Sequence, residues 1–204
     1  MNRTRYLLIS LVVVVGILVS WGRIFPAKGP VTLITDPNDL SGIQTGLVPW
    51  SVEVANLRSR LDALGLPALA AEGSALHIHQ HVDLNINDAA IVTPAGIGVG
   101  AMNSFISPIH THDTSGVIHV ESNIVRDFTL GQFFDIWGVR FTADCIGGYC
   151  ADATHTLTVY SNGTPVTDDP RALVLTAHQE IMVVYSEASS TPAVISSYTF
   201  PAGE

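Results

Sequence analysis

Six of the eight histidines in this 204-residue chain fall between residues 77 and 119. They come as His77-Ile-His79-Gln-His81, then as His110-Thr-His112, with His119 shortly after. An extended strand sends alternate side chains to one face, same-side neighbours standing roughly 6.5–7 Å apart along the chain, so each His-x-His aims its imidazoles in one direction. Burying several imidazoles without partners costs about several kcal/mol, and protonating them makes them repel one another. A bound cation removes both difficulties. Neutral imidazole suits zinc, copper, iron and nickel, whereas calcium and magnesium prefer oxygen shells. The scarcity of Cys and Met on these strands disfavours a Cu(I) carrier. The expected metal ligands are therefore His77, His79, His81, His110, His112 and His119, and the expected ion is zinc or copper. His81 is the weakest member, with a second ion or a hydrogen bond near Asp83 as its alternative roles. His155 and His178 stand alone and read as surface or hydrogen-bonded histidines.

The carboxylates Asp83, Asp113 and Glu121 lie beside the same strands. In an enzyme, Glu121 and Asp83 are the candidate catalytic residues, orienting imidazoles or moving protons at a metal-bound water. Asp113 opens a turn and needs no further role.

The elements that must position these residues are mainly strands. From Leu76 the apolar period is two: Leu76, Ile78, Val82, Leu84 and Ile86 take one parity, and the histidines, Asp83, Asn85 and Asn87 take the other. This predicts a strand with an apolar back and a histidine face. Phe105 to His112 and Val117 to Val125 read as strands joined by the turn 113–116. That turn length sets His110 opposite His119 and His112 opposite Val117, so His110, His112 and His119 share a face with Glu121 further along it. Shorter strands are expected at 89–93, and 156–160 with 164–167 form a hairpin around Asn162-Gly163. A last strand pair is expected at 173–176 and 181–186. Leu57, Leu61 and Leu64 mark an amphipathic helix over 51–64 ended by Gly65. Thr129 to Gln132 fits a capping box that opens a second helix through Trp137, closed by Gly138. The expected fold class is mainly β: a single antiparallel sandwich or barrel, cupin- or cupredoxin-like in architecture, with two short helices.

An uncharged apolar run from Tyr6 to Trp21 follows Arg3 and Arg5. The span 6–25 is sufficient to cross roughly 30 Å of hydrocarbon as a transmembrane helix, with Tyr6 and Trp21 at the interfaces. Residues 1–25 are expected to be an uncleaved membrane anchor, 26–50 a linker and 51–204 an extracytoplasmic domain; cleavage of the first segment would make the domain secreted. Beyond residue 30 the chain has five arginines against 18 acids, which excludes nucleic acid as a partner because phosphate neutralisation needs clustered basic residues. Cys145 and Cys150, the two cysteines, read as a local disulfide in an oxidising compartment, with a two-thiolate metal site as the rival.

Pro108-Ile-His-Thr-His112 followed by Val117-Ile-His-Val-Glu121 resembles the first motif of the cupin barrels, in which a His-x-His strand and a nearby carboxylate bind a metal. The chain departs from that motif at Gly116, where a cupin places its ligand glutamate, and only His178 is available to stand for a second motif. The arrangement is also similar to the zinc site of alpha carbonic anhydrases, where a neighbouring strand adds a third histidine to a His-x-His pair. These resemblances imply a histidine-held metal. The residues leave three readings open: the chain sequesters, senses or delivers a metal, or it is a hydratase, hydrolase or cupin-like oxygenase acting through metal-bound water, or it is a metal-free structural or pH-responsive module.

Overall fold

The computed structural model describes residues 31–203. The expected anchor, 1–25, and the start of the expected linker lie outside the described residues. No helix among the described residues is long and apolar enough to cross a membrane.

Among the described residues, two α-helices, α1 (Leu57–Leu64) and α2 (Leu130–Trp137), accompany nine strands. The strands are β1 (Leu76–Ile86), β2 (Ala89–Ile91), β3 (Ile109–His110), β4 (Val117–Ser122), β5 (Cys145–Ile146), β6 (Tyr149–Cys150), β7 (His155–Ser161), β8 (Thr164–Pro165) and β9 (Gln179–Glu187). Seven form one sheet in the order β3-β4-β1-β9-β7-β8, with β2 also pairing β1, while β5 and β6 form a separate ribbon.

β1 is the strand on which this sheet turns. Its first half pairs with β4 and its second with β9. The β1–β9 pairing is parallel and the others are antiparallel, so the sheet is mixed, where the sequence predicts an antiparallel one. A parallel pair needs a long crossover, and here that crossover includes β4, α2 and β7. The expected closed barrel is not found among the described residues. β3 and β8 end the sheet without pairing to each other, and the result is an open mixed sheet with two helices, consistent with a sandwich.

The period-two pattern sorts the two faces. Val82, Leu84 and Ile86 of β1, Ile118 and Val120 of β4, and Ile181 and Val183 of β9 pack into one core. Leu57, Leu61 and Leu64 of α1 and Phe133, Phe134 and Trp137 of α2 join it. Each such fully buried side chain contributes about 1.5–3 kcal/mol. α1 starts at Leu57 instead of the expected Ser51 because the preceding backbone is used in tertiary contacts: Trp137 Nε1 donates to the Ser51 carbonyl at 3.1 Å, and the Glu53 amide donates to the Trp137 carbonyl at 3.4 Å. The buried Arg60 reaches from α1 to the Glu53 carboxylate and to the Ile136 carbonyl. The capping box of α2 forms between Thr129 and Gln132, and left-handed Gly138 ends the helix.

The expected strand at 105–112 shrinks to β3, because Ile106 pairs with Leu69 and Ser107 donates to Gly98. The expected partner at 173–176 for the last strand bridges to Thr129 instead, leaving β9 to β1 and β7. Cys145 and Cys150 face each other across the β5–β6 ribbon and form the disulfide. The described part of the expected linker lies against the domain: Trp50 is buried in the core and Gln44 exchanges backbone hydrogen bonds with Gly138 and Arg140.

Candidate metal centre

The strand register builds the site. On the face opposite the core, His79 of β1 stands beside His119 of β4, which in turn stands beside His110 of β3. Two register positions along, His77 of β1 stands beside Glu121 of β4. His112 follows β3 by two residues and returns to the same group, its ring centroid 4.4 Å from that of His119. The two His-x-His segments therefore meet. They bring together His77, His79, His110, His112, His119 and Glu121.

Burial is graded across this group. His110 is fully buried, His79, His119 and Glu121 are nearly so, and the side chains of His77 and His112 are 54% and 45% exposed at its two rims. The ring nitrogens approach closely: His77 Nε2 lies 3.1 Å from His79 Nε2, and His110 Nε2 lies 3.2 Å from His112 Nε2. In a tetrahedral shell with zinc–nitrogen bonds of about 2.0–2.1 Å, two ligand nitrogens stand roughly 3.3–3.4 Å apart, close to the spacing of both pairs.

The outer contacts orient the rings. His110 Nδ1 donates to the Ser107 carbonyl at 3.0 Å, which leaves its Nε2 bare and directed at the cluster. Nδ1 of His119 lies 3.3 Å from Glu121 Oε1, and the same oxygen is 3.2 Å from His77 Nε2. Burial, followed by the neighbouring histidines, lowers the pKa of His79, brings that of His110 down to about 4 and that of His119 down to about 3. At neutral pH these rings are uncharged, the form that binds metal. Burial and the charge of Glu72 raise the pKa of Glu121.

Glu72 is a participant that sequence reasoning missed. Its Oε1 lies 3.4 Å from His112 Nε2, and its carboxyl also hydrogen-bonds that of Glu121. It sits in an irregular segment before β1, where no periodicity marks it. Glu72 and His112 stand at the mouth of a cleft of about 530 Å³ with walls from Ala70, Val99, Phe105 and Ile106. A second opening of about 390 Å³ lies on the other side, against His77, His79 and His178. The loop before β3 can approach this closely only because Gly98 has a left-handed φ of +76° and no side chain; a Cβ there would stand 2.4 Å from the Ile109 carbonyl.

His81 and Asp83, predicted with the others, stand apart. β1 carries them further along the strand, where the neighbouring strand is β9 and the residue opposite His81 is Glu180. His81 Nδ1 contacts Glu180 Oε2 at 2.8 Å, its Nε2 donates to the Ser115 carbonyl at 2.9 Å, and its ring stacks on Tyr198 at 3.8 Å. Burial alone would lower its pKa, but the hydrogen bond and charge of Glu180, with Ser115 and Asp83, raise it. Asp83 lies 3.8 Å from His81 Nδ1 and does not reach the five-histidine group. Gly116, the departure from the cupin motif, belongs to this second site. Its left-handed φ is +91°, and a Cβ would meet the Val82 carbonyl at 2.7 Å and His81 Nε2 at 2.9 Å. His155 lies on β7, stacked on Tyr185 and away from the cluster. His178 donates its amide to the His79 carbonyl and packs against Phe200.

Groups of histidines and carboxylates that could hold a metal ion are thus present on one face of the sheet. No protein family, curated protein or solved structure matches this chain.

Proposed function

We propose that this chain is a membrane-anchored, extracytoplasmic protein that binds zinc or copper through the histidines of β1, β3 and β4. The observation that carries the reading is His110: a fully buried imidazole whose Nδ1 is held by a backbone carbonyl and whose Nε2 lies 3.2 Å from that of His112, with the His119 ring stacked alongside. A buried ring prepared in this way has a lone pair to supply to a cation. All-nitrogen and oxygen donors match Zn(II) or Cu(II). Tag-free full-length protein in detergent, stripped with a chelator, is expected to take up Zn(II) or Cu(II) in calorimetric titration. The His110→Ala variant is expected to lose roughly 100-fold or more in affinity, while His155→Ala retains it. A wild-type protein that takes up neither ion removes this reading.

The cleft at Glu72 and His112 favours a second reading, a metalloenzyme, since a carrier has no need of an apolar pocket beside its ion. In that case His110, His112 and His119 would hold the ion, which would supply an activated water, and Glu121 would be the carboxylate beside it. Azide added to the Co(II)-loaded protein is expected to shift the visible absorption if that position is exchangeable; an unchanged spectrum favours binding alone.

A further inference from the structure

Five imidazoles exceed what one four-coordinate ion takes, and they do not converge on one point. Candidate ligand atoms of His110, His112, His119 and Glu121 all lie within 4.8 Å of one another. Those of His77, His79 and Glu121 do so as a separate group. The two groups share Glu121 alone. Each contains one His-x-His pair with Nε2 atoms at 3.2 or 3.1 Å, and each faces its own opening, one of about 530 Å³ at His112 and one of about 390 Å³ at His77 and His79. The register explains the division. β4 runs between β1 and β3, the flanking strands each supply a His-x-His pair, and β4 supplies His119 and Glu121 between them.

We propose that the cluster is a two-metal centre. One first-row dication sits on His77, His79 and Glu121, and a second on His110, His112, His119 and Glu121, with the Glu121 carboxylate bridging them. This deepens the metal-binding reading above and rests on it. Glu72, in contact with both His112 and Glu121, closes the second position from the cleft side. Two dications exceed in charge the two carboxylates available, Glu121 and Glu72, so a hydroxide or another oxyanion held between the ions completes the centre. A hydroxide formed there from water releases its proton to solvent. Ligands with two oxygens, carboxylates and phosphates, are the class that spans such a pair.

The full-length chain in detergent, stripped and reloaded with excess Zn(II), is desalted and its zinc counted by elemental analysis. Two ions per chain are expected, falling to one in His77→Ala and to one in His112→Ala, both substitutions at exposed rims that leave the core intact. Loaded with Cu(II), the wild type is expected to show an electron paramagnetic resonance signal weakened by coupling through Glu121, while each rim variant regains the signal of an isolated Cu(II). One zinc per wild-type chain overturns the two-metal centre and leaves the metal-binding reading standing. Two ions with independent copper signals overturn the bridge. No zinc at all removes both.

Discussion

His79 and His81 are two residues apart on one strand, on one face, and the structure gives them opposite chemistry. His79 has histidines around it: His77, His119 and, across the strand end, His178. Its pKa is lowered by burial and then by His77, His178 and His112. His81 has Glu180 opposite, the Ser115 carbonyl at its far nitrogen and Tyr198 against its face, and its pKa is raised. The first arrangement favours an uncharged ring; the second favours a protonated one and supplies its counter-charge. The difference comes from the strand alongside. β4 places His119 next to His79, and β9 places Glu180 next to His81.

The comparison is broken most severely by removing the counter-charge. Glu180 and His81 are both buried, so Glu180→Ala leaves a buried imidazole with its acceptor gone and is expected to cost about 3 kcal/mol in urea denaturation. Zinc stoichiometry should stay unchanged in that variant; loss of zinc with stability intact would place His81 in the metal site after all. The opposite manipulation, adding zinc to stripped wild type, is expected to stabilise the fold by about 2.7 kcal/mol for each occupied site at a free zinc concentration 100 times that site's dissociation constant. His110→Ala should remove the share that belongs to the group of His110, His112, His119 and Glu121, as read by the shift in thermal midpoint.

The two histidine environments also predict pH limbs of opposite sign in the metal-free protein. His110 and His119 have folded pKa values of about 4 and about 3, below the ordinary 6.5, so as pH falls below 6.5 the unfolded chain takes up protons first and stability drops. His81 has a raised folded pKa, so its contribution is complete below 6.5 and is lost as pH rises through the folded value. Urea midpoints across this range should show both limbs. His81→Gln is expected to flatten the upper limb and leave the lower one; flattening of the lower limb instead would reverse the assignment. The smallest effect sharpens the same contrast: Tyr198→Ala removes the ring stacked on His81 and should cost about 1 kcal/mol without changing zinc affinity.

Much of the candidate site was legible because it lies within strands and tight turns. The alternation of β1 and the four-residue turn 113–116 set His110 opposite His119 from local sequence alone, and the structure has that pairing. The capping box of α2 and the hairpin at Asn162-Gly163 are equally local signals. What escaped depends on pairings between distant segments. The parallel register of β9 on β1, which brings Glu180 to His81, has no local signature, so the chain reads there as one uniform run of alternating histidines. Glu72 lies in irregular backbone, where neither period applies, and only the fold brings it to His112. The open sheet follows from the same cause, since the order of strands is set by which edges β9 and β4 occupy.

The parallel β1–β9 pairing has a consequence for the order in which the sheet can be completed. Every histidine of the five-membered cluster precedes the element that fixes the second half of the strand bearing two of them. A growing chain holds its imidazoles long before β9 exists to brace β1, and a contact of such sequence separation forms slowly. The β1–β4–β3 side of the sheet, which carries the cluster, can therefore be synthesised in full before the strand that joins it to β7 and β8.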